Sequence, residues 1–240
     1  MSVIRQGRRR IWSALGLLAA IAVAAIIGVS LLGAAGTSKS GGVKPSTAQQ
    51  HAAQVNASAA AVDALLAGIP QSGNTLGDPR APITLLYFAD LQCPFCRRFT
   101  LGTLPSLIQN YVRGGRLKIE YHSLETATKD PQTFKAQQLA ALAAGKQSKM
   151  WNYLELFYRE QGPENSSYVT ENYLQGLAQQ VPGLNLIAWT SARSEAKLLD
   201  AIARDARAAA GAGLAVTPSF LIRREHDTPD ASAIESALKR

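Results

Sequence analysis

The chain has 240 residues, of which 47% are hydrophobic, and a formal net charge of +8 at pH 7. Residues 1–62 contain six basic residues and no acidic one, so the rest carries 25 − 6 = 19 basic residues against 17 acidic ones. This nearly neutral remainder argues against a phosphate-binding face, and we expect no nucleic-acid partner.

The first 62 residues divide into three segments of different composition. Residues 1–10 are basic and are predicted to be cytoplasmic, because positive charge before an apolar span favours that orientation. Residues 11–32 are uncharged and apolar over about the 20 residues that a membrane-spanning helix needs. They predict a single-pass anchor, and a cleaved signal peptide, whose apolar region is normally about 7–15 residues, is the alternative. Residues 33–62, rich in Gly, Ser and Ala, predict a flexible or weakly helical tether.

Residues 63–240 are numerous enough for one domain with a sizeable core. Turn-forming residues dominate 71–82, and the apolar run 83–89 then predicts a buried parallel strand. Apolar residues at helical spacing follow from about residue 94, until two glycines at 114–115 end the helix. Alternation over 117–122 predicts a second strand, and the connection is long enough for a parallel crossover.

An all-helical segment is predicted from about residue 131 to 213. Trp151 and Trp189 within it are interpreted as core residues, because large aromatic side chains contribute much of the buried surface. The apolar run 217–222 then predicts a last strand, with a proline near its beginning, where the missing N–H is tolerated. A short amphipathic helix over 231–239 closes the chain.

Cys93 and Cys96 are the two cysteines of the chain, and they lie where the predicted strand gives way to the helix. A helix N-terminus stabilises a thiolate, which is the reactive form of cysteine, so this spacing favours redox chemistry. Half of a zinc site, a structural disulfide and two inert core thiols are the alternatives. We expect no metal and no cofactor, because His51, His122 and His226 lack ligand spacing.

The order of these segments resembles the DsbA-like branch of the thioredoxin superfamily. The resemblance extends over about residues 76–239 and is carried by the cysteine segment 88–99, its lead-in 77–83, the aromatic pattern at 149–151 and the Thr-Pro pair at 217–218. It implies an α/β, thioredoxin-like fold with an inserted all-helical subdomain, here preceded by the predicted transmembrane helix.

The resemblance also implies roles for individual residues. Cys93, nearer the helix N-terminus and more exposed, would exchange with substrate thiols, and Cys96 would be the resolving thiol. Pro94, at the first helical position, would help to present the turn. Pro218 is expected to be cis and to pack against the cysteine pair, which leaves the backbone of Thr217 free to pair with an extended substrate segment.

Several residues depart from the patterns of this superfamily. Phe95 stands where the archetypal oxidase has histidine, so we expect a Cys93 pKa that is lowered, but less strongly than in that enzyme. Many thioredoxin folds bury a carboxylate at the position of Tyr87, and Asp90 is the nearer candidate for a proton relay. Arg97 and Arg98 either add positive potential near the sulfur or form a solvated helix face.

These features predict an enzyme, a membrane-tethered extracytoplasmic thiol–disulfide oxidoreductase. It would exchange a Cys93–Cys96 disulfide with cysteines of secreted or envelope proteins, with disulfide introduction as the favoured direction, and a redox partner would reset it. A thiol reductase or disulfide isomerase on the same fold is one alternative, because threonine before the proline occurs in those branches too. A non-catalytic tethered binding or chaperone module is the other.

Overall fold

A mixed β-sheet lies at the centre of the fold in a computed structural model that describes residues 47–224 and 230–238. Its five strands are Gln71–Ser72 (β1), Thr75–Leu76 (β2), Ile83–Ala89 (β3), Leu117–Ser123 (β4) and Ser219–Arg224 (β5). Their spatial order is β1-β2-β4-β3-β5. Strand β3 pairs in parallel with β4 and antiparallel with β5, so the predicted parallel crossover between the first two long strands is confirmed.

Burial explains why β3 and β4 carry different sequence patterns. Six of the seven residues of β3 are buried, because strands flank it on both sides and other elements cover its faces, and its sequence is therefore almost continuously apolar. Along β4 buried and half-buried residues alternate, as its alternating sequence predicts. The carboxyl end of β3 leads directly into the segment that contains both cysteines.

Helices occupy most of the remaining described residues. They are Thr47–Leu66 (α1), Pro94–Arg98 (α2), Leu104–Leu107 (α3), Pro131–Gly145 (α4), Met150–Arg159 (α5), Glu171–Gln180 (α6), Leu186–Ala192 (α7), Ala196–Gly211 (α8) and Asp230–Leu238 (α9). Two π-helical stretches, Phe99–Thr103 and Ile108–Val112, continue α2 and α3 without a break in helical backbone geometry. We call this continuous segment, residues 94–112, the long helix.

The predicted helical insertion is confirmed, and it consists of α4 to α8. Trp151 and Trp189 are both buried, and each indole N–H donates to a backbone carbonyl, of Asn74 and Ala140 respectively. Helix α5 packs against the long helix, so the insertion directly supports the cysteine segment.

Two predicted segments need correction. Residues 71–82, predicted as turns, also contain the short strands β1 and β2. A strand of two residues is too short to show the alternation of apolar and polar residues from which strands are predicted. The predicted tether 33–62 overlaps α1, which is helical from Thr47 and packs against α5. Val62 and Leu66 are buried, and Ser58 donates to the Glu160 carboxylate at 3.1 Å, so this part belongs to the folded domain.

The basic segment 1–10 and the apolar segment 11–32 lie outside the described residues. Among the helices that the structure describes, none combines the length and the hydropathy of a membrane-crossing helix.

Candidate active site

Cys93 is the N-cap residue of the long helix. Its backbone is extended (φ −70°, ψ 119°), Pro94 takes the first helical position, and the N–H of Cys96 donates to the Cys93 sulfur at 3.4 Å. A proline costs no hydrogen bond at that position, since the first helical N–H groups have no intrahelical partner. The predicted location of both sulfurs at a strand-to-helix junction is therefore confirmed.

A second segment covers the Cys93 sulfur from the other side. The Thr217–Pro218 peptide bond is cis, as expected. The Cys93 thiol donates to the carbonyl oxygen of Thr217 at 3.3 Å, although the two residues are 124 positions apart. Both cysteines are free thiols, and Cys93 is 3% exposed whereas Cys96 is fully buried. Cys93 is thus the more accessible thiol, but by a small margin.

The two thiols have very different acidities. The hydrogen bond from Cys96 is the main cause that lowers the pKa of Cys93 to about 6, while burial opposes the shift. The side chain of Thr217 and the backbone N–H groups of Cys96 and Phe95 lower the pKa of Cys93 further. Burial, followed by the interaction with Cys93, raises the pKa of Cys96 far above its usual value. The pair therefore holds one negative charge near neutral pH, and Cys93 carries it.

Titration of the reduced protein should show this low pKa directly. We expect the thiolate absorbance and the alkylation rate with iodoacetamide to rise with a midpoint near the Cys93 pKa of about 6. In Cys96→Ala the midpoint should move upward, because the strongest hydrogen bond to the thiolate is lost while the helix N–H groups remain. A wild-type midpoint at or above the free-cysteine value of about 8.5 would contradict the assignment.

The residues beside the cysteines provide exposed apolar surface and contacts that hold the long helix in place. Phe95 is 56% exposed, and the Arg98 guanidinium lies 5.2 Å from the centre of its ring. Arg97 donates from Nε to the carbonyl of Tyr158 at 2.8 Å and so ties the long helix to α5. Val216, directly before the cis-proline pair, is also an exposed apolar residue, at 66%. Exposed apolar side chains are therefore present on both segments that contact Cys93.

Two tyrosine hydroxyl groups contact the backbone of the cysteine segment. One of them belongs to Tyr87, which stands where many thioredoxin folds have a carboxylate. The hydroxyl of Tyr87 lies 3.4 Å from the carbonyl oxygen of Cys96 and 3.2 Å from Oγ1 of Thr100. The hydroxyl of Tyr158 donates to the carbonyl of Asp90 at 3.2 Å. Burial raises the pKa of both tyrosines well above its usual value, so they remain neutral.

The Asp90 carboxylate is an anchor rather than a proton relay. It accepts six hydrogen bonds, from the backbone N–H groups of Gln92, Thr126, Ala127 and Thr128, from the Thr128 hydroxyl and from the Gln137 side chain. A carboxylate offers about four lone-pair sites, so these donors saturate it. The hypothesis of a proton relay through Asp90 is therefore replaced by a structural role.

Two further residues reach the cysteine segment, and the sequence carries no signal for either. Gln161, which follows α5, donates from Nε2 to the carbonyl oxygens of Leu91 and Cys93, at 2.6 and 3.2 Å. Thr126 lies with its Oγ1 2.5 Å from Oγ1 of Thr217. Both are single polar residues in loops, distant in sequence from the residues they contact, and no motif marks them.

Comparisons with known proteins agree with this geometry. The thioredoxin family model matches residues 71–240. The probable disulfide bond formation protein D of Bacillus cereus is 21% identical over 167 residues, which cover 69% of this chain and 77% of that protein. Disulfide bond formation protein D of Bacillus subtilis is 27% identical over 109 residues, which cover 43% of this chain and 46% of that protein.

Solved structures give the same fold. Oxidised BdbD from Bacillus subtilis aligns with a TM-score of 0.58 at 19% identity, over 71% of this chain and 97% of that one. Alpha-DsbA1 of Wolbachia pipientis aligns with a TM-score of 0.54 at 21% identity, over 68% of this chain and 78% of that one. The family match covers well over half of the chain and includes both cysteines and the cis-proline. The chain therefore belongs to the thioredoxin family and is a DsbA-like thiol–disulfide oxidoreductase.

Proposed function

We propose that this protein is a membrane-tethered, extracytoplasmic oxidase that transfers a Cys93–Cys96 disulfide to cysteine pairs of secreted or envelope proteins. The observation that carries the proposal is the stabilised thiolate of Cys93, whose pKa is lowered to about 6. A thiolate that is stabilised in the reduced protein makes the corresponding disulfide a stronger oxidant. The relatives from two Bacillus species, which are named for disulfide bond formation, support the same direction.

The first step of the proposed reaction forms a mixed disulfide. A substrate thiolate attacks the sulfur of Cys93, a substrate–Cys93 bond forms and the Cys93–Cys96 bond breaks. The electron pair of the broken bond goes to Cys96, which takes up a proton because its raised pKa disfavours the thiolate. Burial of Cys96 keeps this new thiol away from substrate.

The second step releases the oxidised substrate. A second substrate thiolate attacks the substrate sulfur of the mixed disulfide, and Cys93 leaves as a thiolate. The helix N–H groups and the Cys96 thiol stabilise this leaving group, which speeds its departure. In total the substrate loses two electrons and two protons, of which one proton stays on Cys96. A redox partner must then accept two electrons from the cysteine pair.

Substrate contact is proposed to involve both segments around Cys93. An extended substrate segment would pair with the backbone next to the cis-proline, as in strand addition to a sheet edge. The exposed side chains of Phe95 and Val216 would contact apolar residues near the substrate cysteine. Such contacts suit unfolded or partly folded proteins, whose apolar residues are still accessible.

The proposed location rests on the sequence pattern of the first 32 residues. Four arginines precede an uncharged apolar segment of membrane-spanning length, which favours a cytoplasmic N-terminus and an external domain. Disulfides persist in oxidising compartments outside the cytoplasm, so the proposed reaction and location are consistent.

The raised pKa of the buried Cys96 thiol disfavours a thiol reductase. A reductase needs Cys96 as a thiolate that attacks the mixed disulfide between Cys93 and the substrate. Burial and the neighbouring Cys93 raise the pKa of Cys96, and the hydroxyls that pack behind the segment belong to neutral tyrosines. This arrangement slows the attack of Cys96 on the mixed disulfide relative to a second thiol that ionises easily, although Cys96 remains the nearest thiol to that bond.

The reduction potential of the Cys93–Cys96 couple tests the direction. We expect equilibration with glutathione buffers to give a potential above that of thioredoxin, about −270 mV, and closer to that of the strongest oxidases, about −120 mV. The oxidised protein should also introduce disulfides stoichiometrically into a reduced, unfolded test protein. A potential at or below the thioredoxin value, with no such transfer, would favour the reductase alternative.

A further inference from the structure

A loop that the oxidoreductase family assignment does not explain lies beside the cis-proline segment. Residues 124–130 connect β4 to α4, and Thr126 within this loop contacts Thr217 through their hydroxyl oxygens, 2.5 Å apart. Thr217 is also the residue whose carbonyl oxygen accepts the hydrogen bond from the Cys93 thiol. Thr217 thus contacts both the loop and the reactive sulfur of Cys93.

The loop is held in place by the Asp90 carboxylate. Oδ2 of Asp90 accepts the backbone N–H groups of Thr126, Ala127 and Thr128, at 3.1, 2.9 and 2.8 Å. Oδ1 accepts the Thr128 hydroxyl at 2.6 Å. Asp90 itself is fully buried, and its carbonyl oxygen accepts the N–H of Cys93 at 3.1 Å. The residue therefore bonds the cysteine segment and the loop at the same time.

We propose that Thr126 is a positioning residue for the Cys93 sulfur, because the loop anchored by Asp90 uses its hydroxyl to hold Thr217 in place against Cys93. The proposal rests on the thiol exchange proposed above for Cys93. It adds to that reaction a connected path from Asp90 through Thr126 and Thr217 to the reactive sulfur.

The chemistry of a hydroxyl group gives the path a direction. A threonine hydroxyl donates one hydrogen bond and can accept others. Thr217 lies against the Cys93 sulfur, since its carbonyl oxygen is 3.3 Å from that atom. In the proposed path the hydroxyl proton of Thr217 points to the sulfur, which agrees with the contribution of this side chain to the lowered pKa of Cys93. The hydroxyl oxygen of Thr217 is then free to accept the proton of Thr126. Hydrogen bonds in such a chain polarise one another, so Thr126 strengthens the bond that Thr217 makes.

Two substitutions at Thr126 separate the hydroxyl from the shape of the side chain. Thr126→Val keeps the shape and removes the donor, whereas Thr126→Ser keeps the donor. In the valine variant we expect the midpoint of the Cys93 thiolate titration to move upward by about 0.5 to 1 pH unit. The iodoacetamide rate at a pH near the original midpoint should fall by roughly threefold, as the thiolate fraction falls. The serine variant should behave as the wild type.

Thr133→Val is the matched control. The Thr133 hydroxyl donates to the Asp130 carboxylate at the start of α4, and Thr133 lies seven residues after Thr126. Among the hydrogen bonds of the described residues, neither Thr133 nor Asp130 contacts Thr217. The same chemical change at Thr133 should leave the midpoint in place. An unchanged midpoint in Thr126→Val would overturn the proposal, and so would an equal shift in Thr133→Val, because that shift would reflect general destabilisation.

Asp90→Asn tests the anchor of the loop. The amide group replaces one acceptor of the loop by a donor, and loss of this anchor is expected to move the Cys93 midpoint upward. Loss of the negative charge of Asp90 acts in the opposite direction, so an upward shift in this variant supports the role of the anchor. If this variant does not fold, the valine and serine variants still decide the proposal. Oxidation of a reduced test protein by the wild type is measured in parallel. Failure of that oxidation together with a shifted Thr126→Val midpoint would reject the proposed function while leaving the role of Thr126 intact.

Discussion

Replacing Cys96 with alanine is expected to turn the transient mixed disulfide into a product that can be isolated. In this variant Cys93 attacks a disulfide of the substrate, and a substrate thiolate leaves while the mixed disulfide forms. The thiol one helical turn away, which would normally attack the mixed disulfide, is gone. Well-oriented intramolecular reactions reach effective molarities of about 10⁵–10⁸ M, so we expect the mixed disulfide to persist at least about 100 times longer.

Non-reducing electrophoresis and mass spectrometry of the adduct with a defined disulfide-containing protein measure this effect. The adduct should be linked through Cys93 and should disappear on addition of a reductant. Cys93→Ala is the control, and it should form no adduct through the buried Cys96. A non-catalytic binding module would bind the test protein without a covalent link, so the absence of any adduct in Cys96→Ala would reject the enzymatic assignment.

The second large effect is a pH-dependent difference in stability between the reduced and the oxidised protein. The pKa of Cys93 in the folded, reduced protein is about 6, whereas an unfolded cysteine has a pKa of about 8.5. A lowered pKa contributes stability that is complete above the unfolded value and is lost as the pH falls through the folded value. The reduced form should therefore gain at most about 3 kcal/mol as the pH rises across this window, less any solvent screening.

The disulfide stabilises the oxidised form, whereas the Cys93 thiolate stabilises the reduced form. Closing so short a loop restricts the unfolded oxidised chain and stabilises the oxidised form by about 2 kcal/mol in the chain-entropy description, independently of pH. We therefore expect the unfolding free energy of the oxidised form, relative to that of the reduced form, to fall steadily as the pH rises through this window. Cys96 does not change this trend at neutral pH, because its raised pKa keeps it protonated.

Denaturant unfolding of both redox forms, across a series of pH values, measures this difference. Burial raises the pKa of Glu155 to about 7, and the pKa of His122 is raised to about 9 by Asp205 and Glu120 in spite of burial. Both groups titrate in either redox form, so they cancel when the two unfolding free energies are subtracted. Reduced Cys93→Ala should show none of the stability gain that we assign to the thiolate. A difference between the wild-type forms that is constant with pH would show that the thiolate is not stabilised.

Local sequence patterns are enough to predict the framework of the site. Strands β3 and β4 and the start of the long helix follow from hydrophobic periodicity, which acts over neighbouring residues. The position of Cys93 at the N-cap follows from the same local signals, because strand, cysteine pair and helix are adjacent in the chain. The cis-proline came from the resemblance to a family, since no local pattern distinguishes it from an ordinary X–Pro bond.

The surroundings of the reactive sulfur depend on contacts between residues that are far apart in the chain. The contact of Cys93 with Thr217 spans 124 positions, and that of Thr126 with Thr217 spans 91. Asp90 was visible in the sequence as a nearby carboxylate, yet its role depends on donors 36 to 47 positions away. Such contacts depend on how loops from separate elements meet above the sheet, and on the directions of single hydrogen bonds. A local pattern of apolar and polar residues carries no information about either.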